Sequence, residues 1–173
     1  MATGPTFREA DVAAAVALAL AASKDPAQPA ADVGRSPVKY AQLSHDFRAS
    51  AWRHLNEDGD LPQASSKAWG MVAETIKAVS ARHGGIIHAH RSIWHVLREL
   101  SNLAGESGDI DTANWLRNSF GVARTLHSNF YEDEADAGDV IAGLLLCEEL
   151  SDRLYELFWP DRATGETGLD NEG

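Results

Sequence analysis

Side chains suited to acid–base chemistry and hydrogen bonding concentrate in residues 126–132, which read Leu-His-Ser-Asn-Phe-Tyr-Glu. His127 shares a helical stripe with Phe120, and Tyr131 follows one turn later, so both side chains can reach a common partner. Imidazole, amide and phenol groups bind polar ligands, and His127, Asn129, Tyr131 and Glu132 are therefore predicted to line a cleft between helices. The alternative is that His127 is a buried side chain that hydrogen-bonds a neighbouring helix.

A second group of ionisable side chains comprises His88, His90, Arg91 and His95. Neutral imidazole is a good zinc ligand, which makes a metal site worth testing. On a helix, however, His88 and His90 would diverge by about 200°, and no His-Glu-x-x-His pattern accompanies them. No metal or cofactor is expected.

The third group lies in residues 63–70, Gln-Ala-Ser-Ser-Lys-Ala-Trp-Gly. Lys67 and Glu74 are seven residues apart and share one helical face, whereas Trp69 points to the other side, into the apolar pattern. Lys67 is either a solvated surface residue or, if it faces a cleft that also holds His127, part of an anion pocket.

Composition limits the classes of function. The chain has 173 residues and a formal charge of −11, and residues 91–173 hold seventeen acidic against six basic side chains. Such a balance argues against general nucleic-acid binding, DNA included, because phosphate contacts need clustered Lys and Arg. Cys147 is the only cysteine, so an intrachain disulfide is excluded. No nucleophile elbow, P-loop or dinucleotide fingerprint is present.

Apolar spacing and helix-capping residues predict an all-α fold. Helices are expected at about 6–23, from a Thr6/Glu9 capping box; from Ser36-Pro37 to Gly59; from Asp60 to Gly84; from near Ala89; from Asp109 or Asp111; and from about Asp136 to Phe158. The last five of these helices, joined by short connections, predict an antiparallel bundle. The extra N-terminal, Ala-rich helix docks either on that bundle or on a neighbouring subunit.

Three segments follow from this pattern: residues 1–37, an N-terminal helix with a Pro-rich linker; residues 38–159, the bundle; and residues 160–173, a polar tail expected to be disordered. The apolar run at residues 10–22 is shorter than a membrane span and is preceded by Glu9, so neither a signal peptide nor membrane association is expected. A cytoplasmic location is predicted, consistent with the single cysteine.

Several of these strings in their order resemble the archaeal PaREP family, within the broader HEPN helical-bundle superfamily. They are Gly59-Asp60, Gln63-Ala-Ser-x-Lys-x-Trp-Gly70, Ile76-Lys-Ala78, Gly84, His90 and Leu126-His-x-Asn-Phe-Tyr-Glu132. The resemblance covers about residues 38–158. It implies an all-α bundle that often forms a homodimer, and it carries Lys67, Trp69, His90, His127, Asn129, Tyr131 and Glu132 over as the motif residues.

The superfamily resemblance implies two kinds of function. Some members are metal-independent ribonucleases in which an arginine is followed, four to six residues later, by a catalytic histidine. Others are non-catalytic partners of nucleotidyltransferases in toxin–antitoxin systems. The pairs Arg48/His54 and Arg82/His88 have the ribonuclease spacing, but the first diverges by about 120° on its helix and the second straddles Gly84-Gly85.

The resulting hypothesis is a non-catalytic module that forms a dimer. It would bind a partner protein or a small anionic, nucleotide-like ligand at Lys67, His90, His127, Asn129, Tyr131 and Glu132. The alternative is a metal-independent endoribonuclease that uses His127 or His90 as acid and base, with Arg82, Arg91 or Arg124 supplying charge. A third interpretation treats the motifs as packing only, with Trp69 and Phe130 in the core.

Overall fold

The protein was analysed as a computed structural model that describes residues 7–25, 36–132 and 135–163, with backbone only for 130–132 and 162–163. Its helices are α1 (Glu9–Ser23), α2 (Pro37–Arg53), α3 (Leu61–Arg82), α4 (His90–Glu106), α5 (Ile110–Glu132), α6 (Ala137–Phe158) and the short α7 (Pro160–Ala163). A π-helical turn, His54–Asp58, extends α2. The described residues contain no strand, and the all-α prediction is confirmed.

Helix α3 is the centre of the bundle, and α2, α5 and α6 all pack against it. Six consecutive side chains, residues 71–76, are buried, as expected of a helix with neighbours on every side. The hydroxyl of Ser44 on α2 donates to the Met71 carbonyl at 2.9 Å and lies 2.7 Å from the Thr75 hydroxyl. These bonds satisfy polar groups that α2 and α3 bury between them.

Local capping explains most of the helix ends. The side chains of Ser36, Asp60 and Asp136 accept hydrogen bonds from the third residue of α2, α3 and α6, respectively. Asp109 does the same for the amide of Thr112 in α5, which settles the choice between Asp109 and Asp111. Gly59 follows the π turn with a φ of 63°, a left-handed conformation that glycine adopts without strain.

Two predictions differ from the structure, one near each end of the described chain. Helix α1 begins at Glu9 rather than at Thr6, which lies outside the described residues, because Arg8 is extended and precedes the first helical turn. The predicted capping box is therefore wrong, and Glu9 instead pairs with Arg82 at 2.8 Å. At the other end, Pro160 starts the short α7, since proline suits the first turn of a helix. Residues 164–173 of the predicted tail lie outside the described part.

The N-terminal helix packs on the same chain. Val12, Val16 and Ala19 of α1 are buried, and α1 lies along α4. The sequence left open whether this helix crosses to another subunit, and the structure places it in cis. None of the helices in the described ranges combines the length and the apolar character required to cross a membrane.

Candidate functional site

A cavity of about 400 Å³ opens where α3, α4 and α5 meet. It is lined by Trp69, His90, Arg91, Trp94, His95, Phe120, Arg124, His127 and Ser128. We refer to it as the aromatic–basic pocket. Helix α4 contributes four of these side chains and α5 another four, and Trp69 comes from α3. The pocket is therefore built on helices rather than on loops, which fixes the relative positions of its groups.

Aromatic rings form one wall of the pocket. Trp69 and Phe120 are almost fully buried and meet edge to face, with ring centroids 5.6 Å apart. Trp94 also stacks on Phe120, with ring centroids 5.3 Å apart. These separations are typical of favourable aromatic pairs, so the wall is a packed surface against which a planar ligand could stack.

His90 and His127 lie side by side against Trp69. The two imidazole centroids are 5.5 Å apart, and they lie 5.4 and 5.3 Å from the Trp69 ring, respectively. Helix α4 starts at His90 and α5 carries His127 near its end, so only the packing of these two helices brings the histidines together. Of the residues predicted to line one cleft, the structure brings these two together.

The charge of the pocket is basic, although the chain is acidic overall. Within the described part of the chain, the side chains that line it include three histidines and two arginines and neither Asp nor Glu. Loss of hydration lowers the pKa of His90 below its ordinary 6.5, and the charges of His127, Lys77 and Arg124 lower it further. The same positive field that disfavours a proton on His90 attracts an anion.

Arg91 and His95 are oriented by residues outside the pocket. The Arg91 guanidinium donates from Nε to the Ser23 carbonyl at 2.8 Å and from Nη2 to the Lys24 carbonyl at 2.9 Å. Nδ1 of His95 lies 3.3 Å from Nη2 of Arg98. Two of the basic side chains are thus held in place before any ligand binds, which lowers the entropy cost of binding.

Other predicted site residues lie elsewhere. Nζ of Lys67 is 5.4 Å from the centroid of the Phe47 ring on α2, away from His127. The reason is helical geometry: His127 packs on the Trp69 side of α3, and Lys67, two positions earlier, points about 200° away. Lys67 therefore does not join His127 in an anion pocket.

Asn129 is a buried residue that links α5 to neighbouring parts of the chain. Its Nδ2 donates to the Ser65 hydroxyl at 3.0 Å, and its Oδ1 accepts from the Ala135 amide at 2.8 Å. These bonds tie α5 to α3 and to the connection that leads into α6. Tyr131 and Glu132 belong to α5, but their side chains, like that of Phe130, lie outside the described residues.

The residues of the two Arg/His pairs with ribonuclease spacing bond to other side chains rather than to each other. Arg48 pairs with Asp152 at 2.9 Å, whereas His54 approaches Asp58 at 2.9 Å. Arg82 pairs with Glu9, so it too lies away from the pocket histidines. Of the arginines named for the ribonuclease alternative, Arg91 and Arg124 line the pocket and Arg82 does not.

Sequence reasoning did not identify Trp94 or Ser128 as site residues, considered His95 only for a metal site, and treated Phe120 as core only. Helical spacing could have indicated that Trp94 and Phe120 belong to the site. Trp94 follows His90 by one turn, and Phe120 precedes His127 by two turns, so each shares a face with a predicted histidine. Among the described residues, no group of three or more His, Cys, Asp or Glu side chains is placed to hold a metal ion.

Comparison with known proteins gives one positive result. The model of the archaeal PaREP1/PaREP8 family matches residues 39–145, more than half of the chain, and this segment includes every residue that lines the pocket. Comparison with curated proteins gave no significant match, and neither did comparison with solved structures. The chain belongs to the archaeal PaREP1/PaREP8 family.

Proposed function

We propose that the protein is a binding module for a small anionic ligand with a planar ring, of the nucleotide type, and that the ligand occupies the aromatic–basic pocket. The observation that carries this proposal is that aromatic rings and basic side chains line the same cavity. The partly exposed Trp94 supplies flat apolar surface, with the buried Trp69 and Phe120 packed beside it, and Arg91 and Arg124 supply the charge.

The size and chemistry of the pocket match this class of ligand. Small-molecule sites are usually cavities of about 300–1,000 Å³ lined by apolar and aromatic side chains with a few polar groups. Bases stack on aromatic side chains, and guanidinium groups bind phosphate through charge-assisted hydrogen bonds. Because Arg91 is already bonded to carbonyl groups of residues 23 and 24, the exposed Arg124 is the guanidinium better placed to turn toward a phosphate.

Titration calorimetry with adenosine 5′-monophosphate (AMP) tests the proposal. Adenosine lacks the anion and ribose 5-phosphate lacks the ring, so both should bind more weakly than AMP. Arg124→Ala should weaken AMP binding about 10- to 100-fold, since a hydrogen bond to a charged group contributes about 1.5–3 kcal/mol. Trp94→Ala should weaken AMP and adenosine but not ribose 5-phosphate.

Arg117→Ala is the matched control. Arg117 lies on the same helix as Arg124, two turns earlier, and hydrogen-bonds Asn102 outside the pocket. Arg117→Ala changes the net charge of the protein by the same amount as Arg124→Ala, and it should leave AMP affinity unchanged. Absence of AMP binding by the wild type, or equal effects of Arg117→Ala and Arg124→Ala, would contradict the proposal.

The second candidate is a metal-independent endoribonuclease, and the adjacency of His90 and His127 favours it. One imidazole could remove the proton of a ribose 2′-hydroxyl while the other protonates the leaving oxygen, with Arg124 beside the phosphate. The lowered pKa of His90 suits it to the role of base at neutral pH.

Cleavage of labelled single-stranded RNA in excess chelator decides between the two candidates. Wild-type protein should cleave and the His90→Ala/His127→Ala double variant, with folding confirmed by circular dichroism, should not if the second candidate is correct. AMP binding without cleavage of several RNAs would leave the binding module as the function.

A further inference from the structure

The C-terminus of α1 and the N-terminus of α4 cap each other. Helix α4 begins at His90, and its N-cap residue Ala89 makes no side-chain capping bond. Asp25, which follows α1, holds the segment that leads into α4: its carboxylate accepts from the amides of His88 at 3.2 Å and Ala89 at 3.0 Å, and from the hydroxyl of Ser92 in the first turn. A carboxylate at this end of a helix also interacts favourably with the helix dipole.

Arg91 completes the exchange in the opposite direction. Its guanidinium donates to the carbonyls of Ser23 and Lys24, which are among the last of α1 and have no partner within that helix. Between the two caps, the hydroxyls of Ser23 and Ser92 lie 2.9 Å apart in a buried position. Asp25, Arg91 and the hydroxyl pair of Ser23 and Ser92 thus join the two helix ends by hydrogen bonds in both directions.

The first turn and a half of α4 is also a wall of the aromatic–basic pocket, since His90, Arg91 and Trp94 line it. The residues that hold this wall in place, Ser23 and Asp25, lie before the family-matched segment 39–145. We propose that α1 is a positioning element of the pocket, with Asp25 as its main contact, and that docking of α1 and ligand binding stabilise each other. This inference rests on the proposed function for the ligand.

The physical basis is preorganisation. Without Asp25, the amides of His88 and Ala89 and the hydroxyl of Ser92 lose their acceptor, and the start of α4 loosens, so that His90 and Arg91 occupy the binding geometry for only part of the time. Apparent affinity falls in proportion to the fraction of competent molecules, and a fall to about one tenth weakens binding about tenfold. Coupling of this kind is reciprocal, so a bound ligand must also hold α1 more firmly.

The test compares Asp25→Ala with Glu9→Ala in the full-length protein. Both variants remove one carboxylate from the α1 region, but Glu9 is at the far end of the helix, about 20 Å away, where it pairs with Arg82. AMP affinity is measured by calorimetry, and amide hydrogen exchange of residues 88–95 is measured without ligand. Asp25→Asn, which keeps one acceptor oxygen, serves as the partial rescue.

We expect Asp25→Ala to weaken AMP binding about tenfold and to accelerate exchange of residues 88–95, with Asp25→Asn intermediate and Glu9→Ala unchanged. The direction of the change in AMP affinity is diagnostic, because removal of a nearby negative charge would by itself tighten the binding of an anion. AMP should also slow exchange of residues 20–24 in the wild type but not in Asp25→Ala.

Wild-type affinity and unaltered exchange in Asp25→Ala would overturn the inference, as would tighter binding. If the wild type itself binds no AMP, the proposed function fails; the exchange data then decide separately whether α1 orders the pocket wall. Accelerated exchange limited to residues 88–95 would support that role, and unchanged exchange would refute it.

Discussion

The substitution Gly85→Ala tests the docking of α1 most directly. Gly85 follows α3 in the connection to α4, and a β-carbon at this position would lie 2.3 Å from Cγ1 of Val16 and 2.9 Å from Cδ1 of Leu20. Its amide and carbonyl are already bonded to Ser80, at 2.9 and 2.6 Å. The backbone at residue 85 is therefore held, and α1 must move away to admit a methyl group.

The size of the effect follows from the overlap. Two carbon atoms in contact are normally about 3.5–4.0 Å apart, so Val16 must retreat by more than 1 Å. Val16 is 1% exposed on a rigid helix, and overpacking of such a site costs about 1–3 kcal/mol. We expect a loss of about 2 kcal/mol, or roughly 4–8 °C in the midpoint of thermal unfolding for a chain of this size.

Urea denaturation followed by tryptophan fluorescence measures this loss. Gly121→Ala is the matched control, because that glycine lies in α5 with nothing within 4 Å of the added carbon, and the change should stabilise the helix by about 0.5–1 kcal/mol. In the double variant Val16→Ala/Gly85→Ala, the smaller side chain should recover part of the loss, giving a non-additive cycle. A loss below about 0.5 kcal/mol, or strict additivity of the two substitutions, would refute the close packing of α1 on this turn.

Four further predictions concern separate groups. Because the pKa of His90 is lowered on folding, its contribution to stability is fully present above pH 6.5 and is lost as the pH falls below that value; urea titrations should therefore show a smaller acid destabilisation in His90→Gln than in the wild type. Asn129→Ala should lower the free energy of unfolding by about 1–3 kcal/mol without changing AMP affinity, since its bonds join helices, and an altered affinity in a stable variant would contradict this. Burial raises the pKa of the Cys147 thiol to about 12, so a thiol reagent at pH 8 should label the protein only after denaturant is added. The homodimer expected from the family resemblance predicts twice the 18.7 kDa chain mass in sedimentation equilibrium, and a monomer at all concentrations would exclude it.

Predictions from sequence succeed here where the determining contact is local. Ser36, Asp60 and Asp136 each cap a helix through a residue three positions later, and such patterns are visible in the chain itself. The start of α4 is different. It was placed correctly near Ala89, but the group that stabilises it, Asp25, is distant in sequence and follows no spacing rule. Only the packing of α1 on α4 reveals it.

The same distinction applies to the site. His90 and His127 could be proposed from their types, but their adjacency depends on how α4 and α5 pack on Trp69. Lys67 illustrates the opposite case, because its helical phase relative to Trp69 already places it on the other side of α3. Asn129 has the residue type of a ligand-binding group, yet its burial and its bonds to Ser65 and Ala135 give it a structural role.

Net charge helps to rank the two candidate functions. The formal charge is −11, but the side chains that line the pocket include two arginines and three histidines and, within the described part of the chain, neither Asp nor Glu. Four of the six basic residues after position 90 lie on α4 and α5, and fields from exposed charges are screened within about 8–10 Å in physiological salt. A mononucleotide in the pocket lies close to its arginines and histidines. A longer RNA strand extends beyond them over a chain whose formal charge is −11, and repulsion from that net charge favours the binding module over the ribonuclease.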